Sequence, residues 1–160
     1  MKKCCVIALF LTCALTLLAG TVMAEDMPGP DSAKLWEYIT TVDPYTEWGF
    51  WPDHEGMQDG RAPHGPKHKV FVNATGLKCM MAPVMPGTIE VKENYSEDEK
   101  ELLVITVMYK IKGYNPDAGD WYWVKYMPDG TVKKAGKPAG CIGCHATRVA
   151  NDYILVHEFK

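Results

Sequence analysis

The chain has 160 residues, of which 47% are hydrophobic and 23% charged, and a formal net charge of −3. These proportions are those of one globular domain and exclude a disordered or collagen-like chain. A mildly acidic chain without a cluster of Lys and Arg is also a poor partner for nucleic acid, and that class is set aside.

Met1-Lys2-Lys3 is a short basic stretch, Cys4 to Leu18 follows without a charge, and Val22-Met23-Ala24 offers small residues for cleavage. This pattern predicts a secretory signal over residues 1–24, with Glu25 as the new N-terminus. The apolar run is short for a membrane span, and no stop-transfer charges follow it. The remaining chain is expected to be exported, into a bacterial periplasm. Cys4, Cys5 and Cys13 leave with the signal, so Cys79, Cys141 and Cys144 remain. An odd number in an oxidising compartment cannot form a closed disulfide framework.

Residues 25–33 are rich in Pro, Gly and Asp and read as a flexible leader, ahead of a single domain over 34–160. Asp31 or Ser32 is expected to cap a short helix with Leu35, Tyr38 and Ile39 on one face. From Asp43 to Lys69 the repeated Pro and Gly predict a long loop, whose rings Tyr45, Trp48, Phe50 and Trp51 must cover a core or a ligand. Strand signals follow at 69–73, then one or two helical turns within 74–81, ended by Pro83 and Pro86. Residues 88–95 alternate Ile89 and Val91 with Glu90 and Lys92, the pattern of a half-buried strand. Residues 102–112 and 121–126 are rich in Val, Ile, Thr and aromatic residues and predict two more strands. Pro128-Asp129-Gly130 before Thr131-Val132 is a hairpin signal. Residues 135–143 read as a Gly/Pro loop, and 153–159 as a last strand or a terminal arm. The fold class expected is mainly β (α+β): an antiparallel sheet with a few short helices.

The loop at 135–143 leads into Cys141-Ile142-Gly143-Cys144-His145, the C-x-x-C-H pattern of c-type haem attachment. Two thiols two residues apart can add to the two vinyl groups of one porphyrin edge, and the next residue then places an imidazole under the ring. Gly143 is expected to ease that turn. A thioredoxin-like pair would sit in a βαβ unit, of which the chain shows none, and a zinc site would need a second ligand pair at metal spacing. The expectation is one haem c, held covalently by Cys141 and Cys144, with His145 as proximal iron ligand.

For the other axial position the residues leave several choices. Met80, Met81 and Met85 cluster, and a Met on iron would make an electron-transfer cytochrome, although Met is equally suited to filling a core. His54, His64, His68 and His157 can also ligate. Phe50, Trp51 or Phe71 could instead cover an open face and keep it dry. Cys79 reads as a buried small hydrophobe, and Arg148 as a surface residue able to pair with a propionate.

Further landmarks run in order through the chain: Pro63-His64-Gly65, Val70-Phe71-Val72-Asn73, Pro86-Gly87-Thr88, Val91-Lys92-Glu93-Asn94-Tyr95 and Gly113-Tyr114-Asn115-Pro116. Gly119-Asp120-Trp121-Tyr122-Trp123, the haem motif and Asn151-Asp152-Tyr153 complete the series. This order resembles the cytochrome P-460 family, which also includes the cytochromes c′-beta, over residues 48–153. The resemblance implies an antiparallel β fold, a homodimer, one c-type haem, and an iron with an open distal site. It further implies a small gaseous or nitrogen-oxide ligand and leaves room for a redox partner protein.

Within that family, cytochromes P-460 oxidise hydroxylamine and carry a Lys bonded to the porphyrin. Cytochromes c′-beta lack the bond, have distal Phe residues and bind nitric oxide or similar gases. The cross-linking Lys of the family falls in the segment before the V-K-E strand, which singles out Lys78, two or three positions from the spacing expected at Met80 or Met81. The leading expectation is therefore a binder of nitric oxide or a related ligand against an apolar distal wall. The alternatives are a hydroxylamine oxidoreductase using Lys78 and a carboxylate from Glu90, Glu93 or Asp120, and a six-coordinate electron carrier.

Overall fold

The structure is a computed structural model that describes residues 27–61 and 63–160. The expected signal over 1–24 lies outside the described residues. Six strands form one antiparallel sheet in chain order: β1 (Gln58–Asp59), β2 (Lys67–Val72), β3 (Ile89–Tyr95), β4 (Leu102–Lys110), β5 (Trp121–Tyr126) and β6 (Val132–Gly136). Each neighbour pair is antiparallel, as expected for strands joined by short connections. The mainly β architecture anticipated from the sequence is thus the architecture observed.

Period-two alternation divides the sheet into two faces, each with its own core. On one face Phe71, Ile89, Val91, Ile105, Val107 and Tyr122 pack with Leu35 and Ile39. Those last two come from α1 (Ser32–Glu37) and the π-helical turn Tyr38–Val42 that prolongs it, and both are fully buried. Burying such a side chain contributes roughly 1.5–3 kcal/mol. On the other face Val70, Val72, Met108, Trp121 and Trp123 pack with Trp51, Val84, Tyr153 and Ile154.

Asp31 is the N-cap of α1, its carboxylate accepting from the backbone N–H groups of Ala33 and Lys34 at 2.9 and 3.1 Å. Asp31→Ala is expected to lower stability, read as an earlier midpoint in urea denaturation, because two N–H groups lose their acceptor. The leader expected over 25–33 is tied down in part, since Met27 packs against the first core. The β5–β6 connection turns through Gly130 at φ +84°, and a Cβ there would lie 2.6 Å from the Trp36 indole nitrogen. Glycine is therefore required twice over, by dihedral and by contact.

The structure settles two elements that the sequence left open and departs from expectation in a third. The helix anticipated within 74–81 is only α2 (Ala74–Leu77), capped by Asn73 Oδ1 accepting from Gly76 N at 3.0 Å. Residues 153–159 form an arm without strand pairing that packs against Trp51. The Gly/Pro loop expected over 135–143 is instead the end of β6 followed by α3 (Ala139–His145). Pro138 stands just before the first turn of α3, where its missing N–H is no loss, and its carbonyl accepts from Cys141 N and Ile142 N.

Candidate functional site

Because residues 139–145 are helical, Cys141, Cys144 and His145 occupy positions i, i+3 and i+4 and share one face. Helical geometry, not a special glycine turn, does this. Gly143 is an ordinary helical residue with nothing within 4 Å of where a Cβ would stand. Both thiols are free. Ile142 and Cys141 rest against the second core and anchor the helix.

The ring of His145 has a defined tautomer. Its Nδ1 lies 2.8 Å from the carbonyl oxygen of Tyr153. A carbonyl can only accept, so Nδ1 carries the proton and Nε2 keeps its lone pair. Burial lowers the pKa of this imidazole, which keeps it neutral and ready to ligate.

This face borders a cavity of about 610 Å³, within the range of roughly 300–1,000 Å³ usual for cofactor pockets. The floor is the second face of the sheet. Lys92 stands at its centre, paired in register with Val70 on one side and Thr106 on the other. Glu90, two residues earlier, is paired with Val72 and Met108, and Met108 in turn with Trp123. The loop before β2 adds His54, Arg61 and His64, and β2 itself adds His68. Thr147, Arg148, Leu155 and Val156 close the side nearest α3.

The cavity wall is more ionisable than expected. Glu90 is 6% exposed, and burial raises its carboxyl pKa to about 7 even though Trp51 Nε1 donates to it at 2.5 Å. Burial lowers the pKa of Lys92, an effect that Glu90 opposes. His64 and His68 are both pushed down to about 4, by burial first and by the charge of Lys92 second. His54 is lowered for the same reasons, and its Nε2 lies 2.7 Å from that of His68, so one of the two donates to the other.

Other sequence candidates lie elsewhere. Lys78 is an exposed residue at the C-cap of α2 and does not border the cavity. Met80, Met81 and Met85 are 81%, 68% and 44% exposed, so the expected cluster is neither core nor axial ligand. Cys79 is half-buried against the second core, as a small hydrophobe would be, and it also donates to Thr75 O and accepts from Met85 N.

Phe50 and Phe71 stack on each other in the first core, on the wrong face of the sheet. Trp51 is on the cavity's face but is buried against His157 and Phe159. None of these three rings lines the cavity, whose apolar part comes instead from Val70, Met108, Trp123, Leu155 and Val156. Glu93 also faces the first core, where Tyr45 and Tyr95 donate to it at 2.8 and 2.6 Å. Asp120 accepts from Gly113 N and Asn115 N in the β4–β5 turn. Of the three candidate carboxylates, only Glu90 reaches the cavity. Arg148 borders it and pairs with Glu158. His157 pairs with Asp53 outside it.

The residues fit a haem on observations of the pocket itself. Two free thiols and a neutral imidazole with an open Nε2 share one face of α3. Three buried polar atoms without a protein partner, His64 Nδ1, His68 Nδ1 and Trp123 Nε1, belong to residues that line the same cavity. Among the described residues no three His, Cys, Asp or Glu side chains converge as a separate metal site. The sequence model of the family described as Cytochrome P460 matches residues 43–156. The chain belongs to the cytochrome P460 family. It is thus a haem cytochrome of the c type by family, with haem as its implied cofactor. Comparison with curated proteins returns no match.

Sequence reasoning missed Lys92 as a cavity residue. Its signal was present in the alternation of β3, where Glu90 and Lys92 face opposite to Ile89 and Val91, but that polar face was assigned to solvent.

Proposed function

We propose that this cytochrome is exported, carries one haem covalently through Cys141 and Cys144 with His145 on iron, and oxidises a small nitrogen compound of the hydroxylamine class at the open iron position. The observation that carries this reading is Lys92, which rises from the centre of the cavity floor beside Glu90. When bound, the haem supplies a vacant coordination position and accepts electrons.

The protein's own groups do the rest. Lys92 is the amine that would bond the macrocycle, losing an N–H as the ring loses a C–H and two electrons pass to an oxidant of the peroxide class, the part that the hydroxylamine-oxidase alternative expected of Lys78. Glu90, titrating at about 7, can hold or take up a proton at neutral pH, and Trp51 Nε1 orients it. The unpartnered imidazole nitrogens of His64 and His68 offer hydrogen bonds to a polar ligand. His54, His64, His68, Glu90 and Lys92 give this wall the polar partners that a small hydrogen-bonding substrate needs.

The test is the spectrum and turnover of the haem-loaded protein. A strongly red-shifted ferrous main band and hydroxylamine oxidation with an artificial electron acceptor are expected, and Lys92→Met should lose both, with at least a hundredfold drop in turnover. An ordinary five-coordinate high-spin spectrum with nitric oxide binding and no turnover would return the gas-binding reading. A low-spin, six-coordinate spectrum would make the protein an electron carrier.

A further inference from the structure

The second face holds a buried ion pair for which the proposed reaction has no direct use. Lys110 on β4 and Asp152, at the end of the 3-10 turns Ala146–Asn151 that follow α3, are 6% and 4% exposed. Lys110 Nζ donates to both carboxylate oxygens, at 2.7 and 2.6 Å, and to Gly119 O at 2.8 Å. Asp152 is held from two further directions. Val84 N donates to its Oδ2 at 2.9 Å, and Trp121 Nε1 donates to its backbone carbonyl at 2.8 Å.

Asp152 and Tyr153 are consecutive residues in the left-handed region, at φ +54° and +66°. Asp tolerates that region; Tyr does not enter it without restraint from its surroundings. The restraint is the anchored Asp152 side chain, together with Tyr153 N donating to Arg148 O at 2.9 Å. This dihedral pair aims the carbonyl of Tyr153 at His145 Nδ1.

We infer that Lys110 and Asp152 are positioning residues for the proximal imidazole: the pair locks the 152–153 backbone so that the Tyr153 carbonyl stays on His145 Nδ1–H. A hydrogen bond at Nδ1 increases the basicity of Nε2 and fixes the ring's rotation, which tunes the metal through a group that never touches it. A stronger donor on iron favours the ferric state, so the lock holds the reduction potential down. The inference rests on His145 being the iron ligand and is independent of which substrate the cavity takes.

The experiment is resonance Raman spectroscopy and potentiometry of the haem-loaded ferrous and ferric protein. In Asp152→Asn the charge pair is lost at constant size. Its iron–histidine stretching mode is expected to move to lower frequency and its midpoint potential to rise. Lys110→Arg, which keeps the pair, should retain the parent values. Ile154→Val, in the same core cluster, should lower stability without moving either readout. Should Asp152→Asn not accumulate as a folded haem protein, Asp152→Glu keeps the charge, lengthens the arm and is expected to shift both readouts in the same direction. Parent-like values in a folded Asp152 variant would overturn the inference. Absence of any iron–histidine mode in the parent would overturn the assignment of His145 as well.

Discussion

In a Lys92→Met background, replacing both Cys141 and Cys144 with serine is expected to leave a chain with no covalent haem. The readout is the loss of haem-dependent peroxidase staining after denaturing electrophoresis. The two thiols stand one helical turn apart on α3, both free and on the face that carries His145. A serine hydroxyl is nearly isosteric with the thiol but lacks its nucleophilicity, so neither thioether can form. Each single variant should keep one bond and retain part of the stain. Helix α3 itself should survive in all three, because Ile142 still docks on the second core and the N-terminal turn is closed on Pro138 O. Undiminished stain in the double variant would show that the haem is held by another residue.

The strands were the most legible part of this sequence, and for a physical reason. Residues 121–126 were expected as a strand and β5 has those bounds; 102–112 contains β4, and 88–95 contains β3. In each, β-branched and aromatic side chains alternate or run together because the sheet is packed on both faces. The local rules failed where tertiary contact outweighed them. Pro138, Gly140 and Gly143 read as loop punctuation, yet two core contacts hold α3 as a helix through a sequence of poor intrinsic propensity.

The site was legible in its proximal half only. C-x-x-C-H is contiguous, so spacing alone assigned Cys141, Cys144 and His145 to one group. The opposite half is assembled from β2, β3 and the loop before β2, which no local window joins. A Glu and a Lys alternating with Ile and Val look like a solvated face until a covering loop and helix are known to bury them. The Met cluster misled for the converse reason. Apolar residues were expected to be inside, but the turn between α2 and β3 leaves Met80, Met81 and Met85 outside.

Glu90→Gln is expected to stabilise the protein in a strongly pH-dependent way. Burial in the second core raises the folded-state pKa of Glu90 from 4.5 to about 7, and the nearby charge of Asp152 acts in the same direction. The sign follows from proton counts. Between pH 4.5 and about 7 the folded protein holds a proton on Glu90 that the unfolded chain has released. The stability that this proton represents is therefore present below pH 4.5 and is lost as pH rises through about 7. Glutamine has no such proton to lose, and its side-chain oxygen can still accept from Trp51 Nε1. The variant should match the parent near pH 4 and exceed it at pH 8 by on the order of 3 kcal/mol, the free energy of moving one titration over that interval.

His64 and His68, held down at about 4, impose the opposite slope below pH 6.5, but equally in both proteins, so they drop out of the difference. Urea denaturation of the haem-loaded pair at a series of pH values reads this directly, and a difference that stays flat with pH would show that folding leaves the Glu90 pKa at its unfolded value. The same variant separates stability from chemistry. If Glu90 accepts the substrate's proton, hydroxylamine turnover in the parent rises with pH through about 7 as the carboxylate forms. In Glu90→Gln that limb of the profile should vanish while the protein becomes more stable, the trade expected where a buried acid is kept for catalysis at the expense of folding.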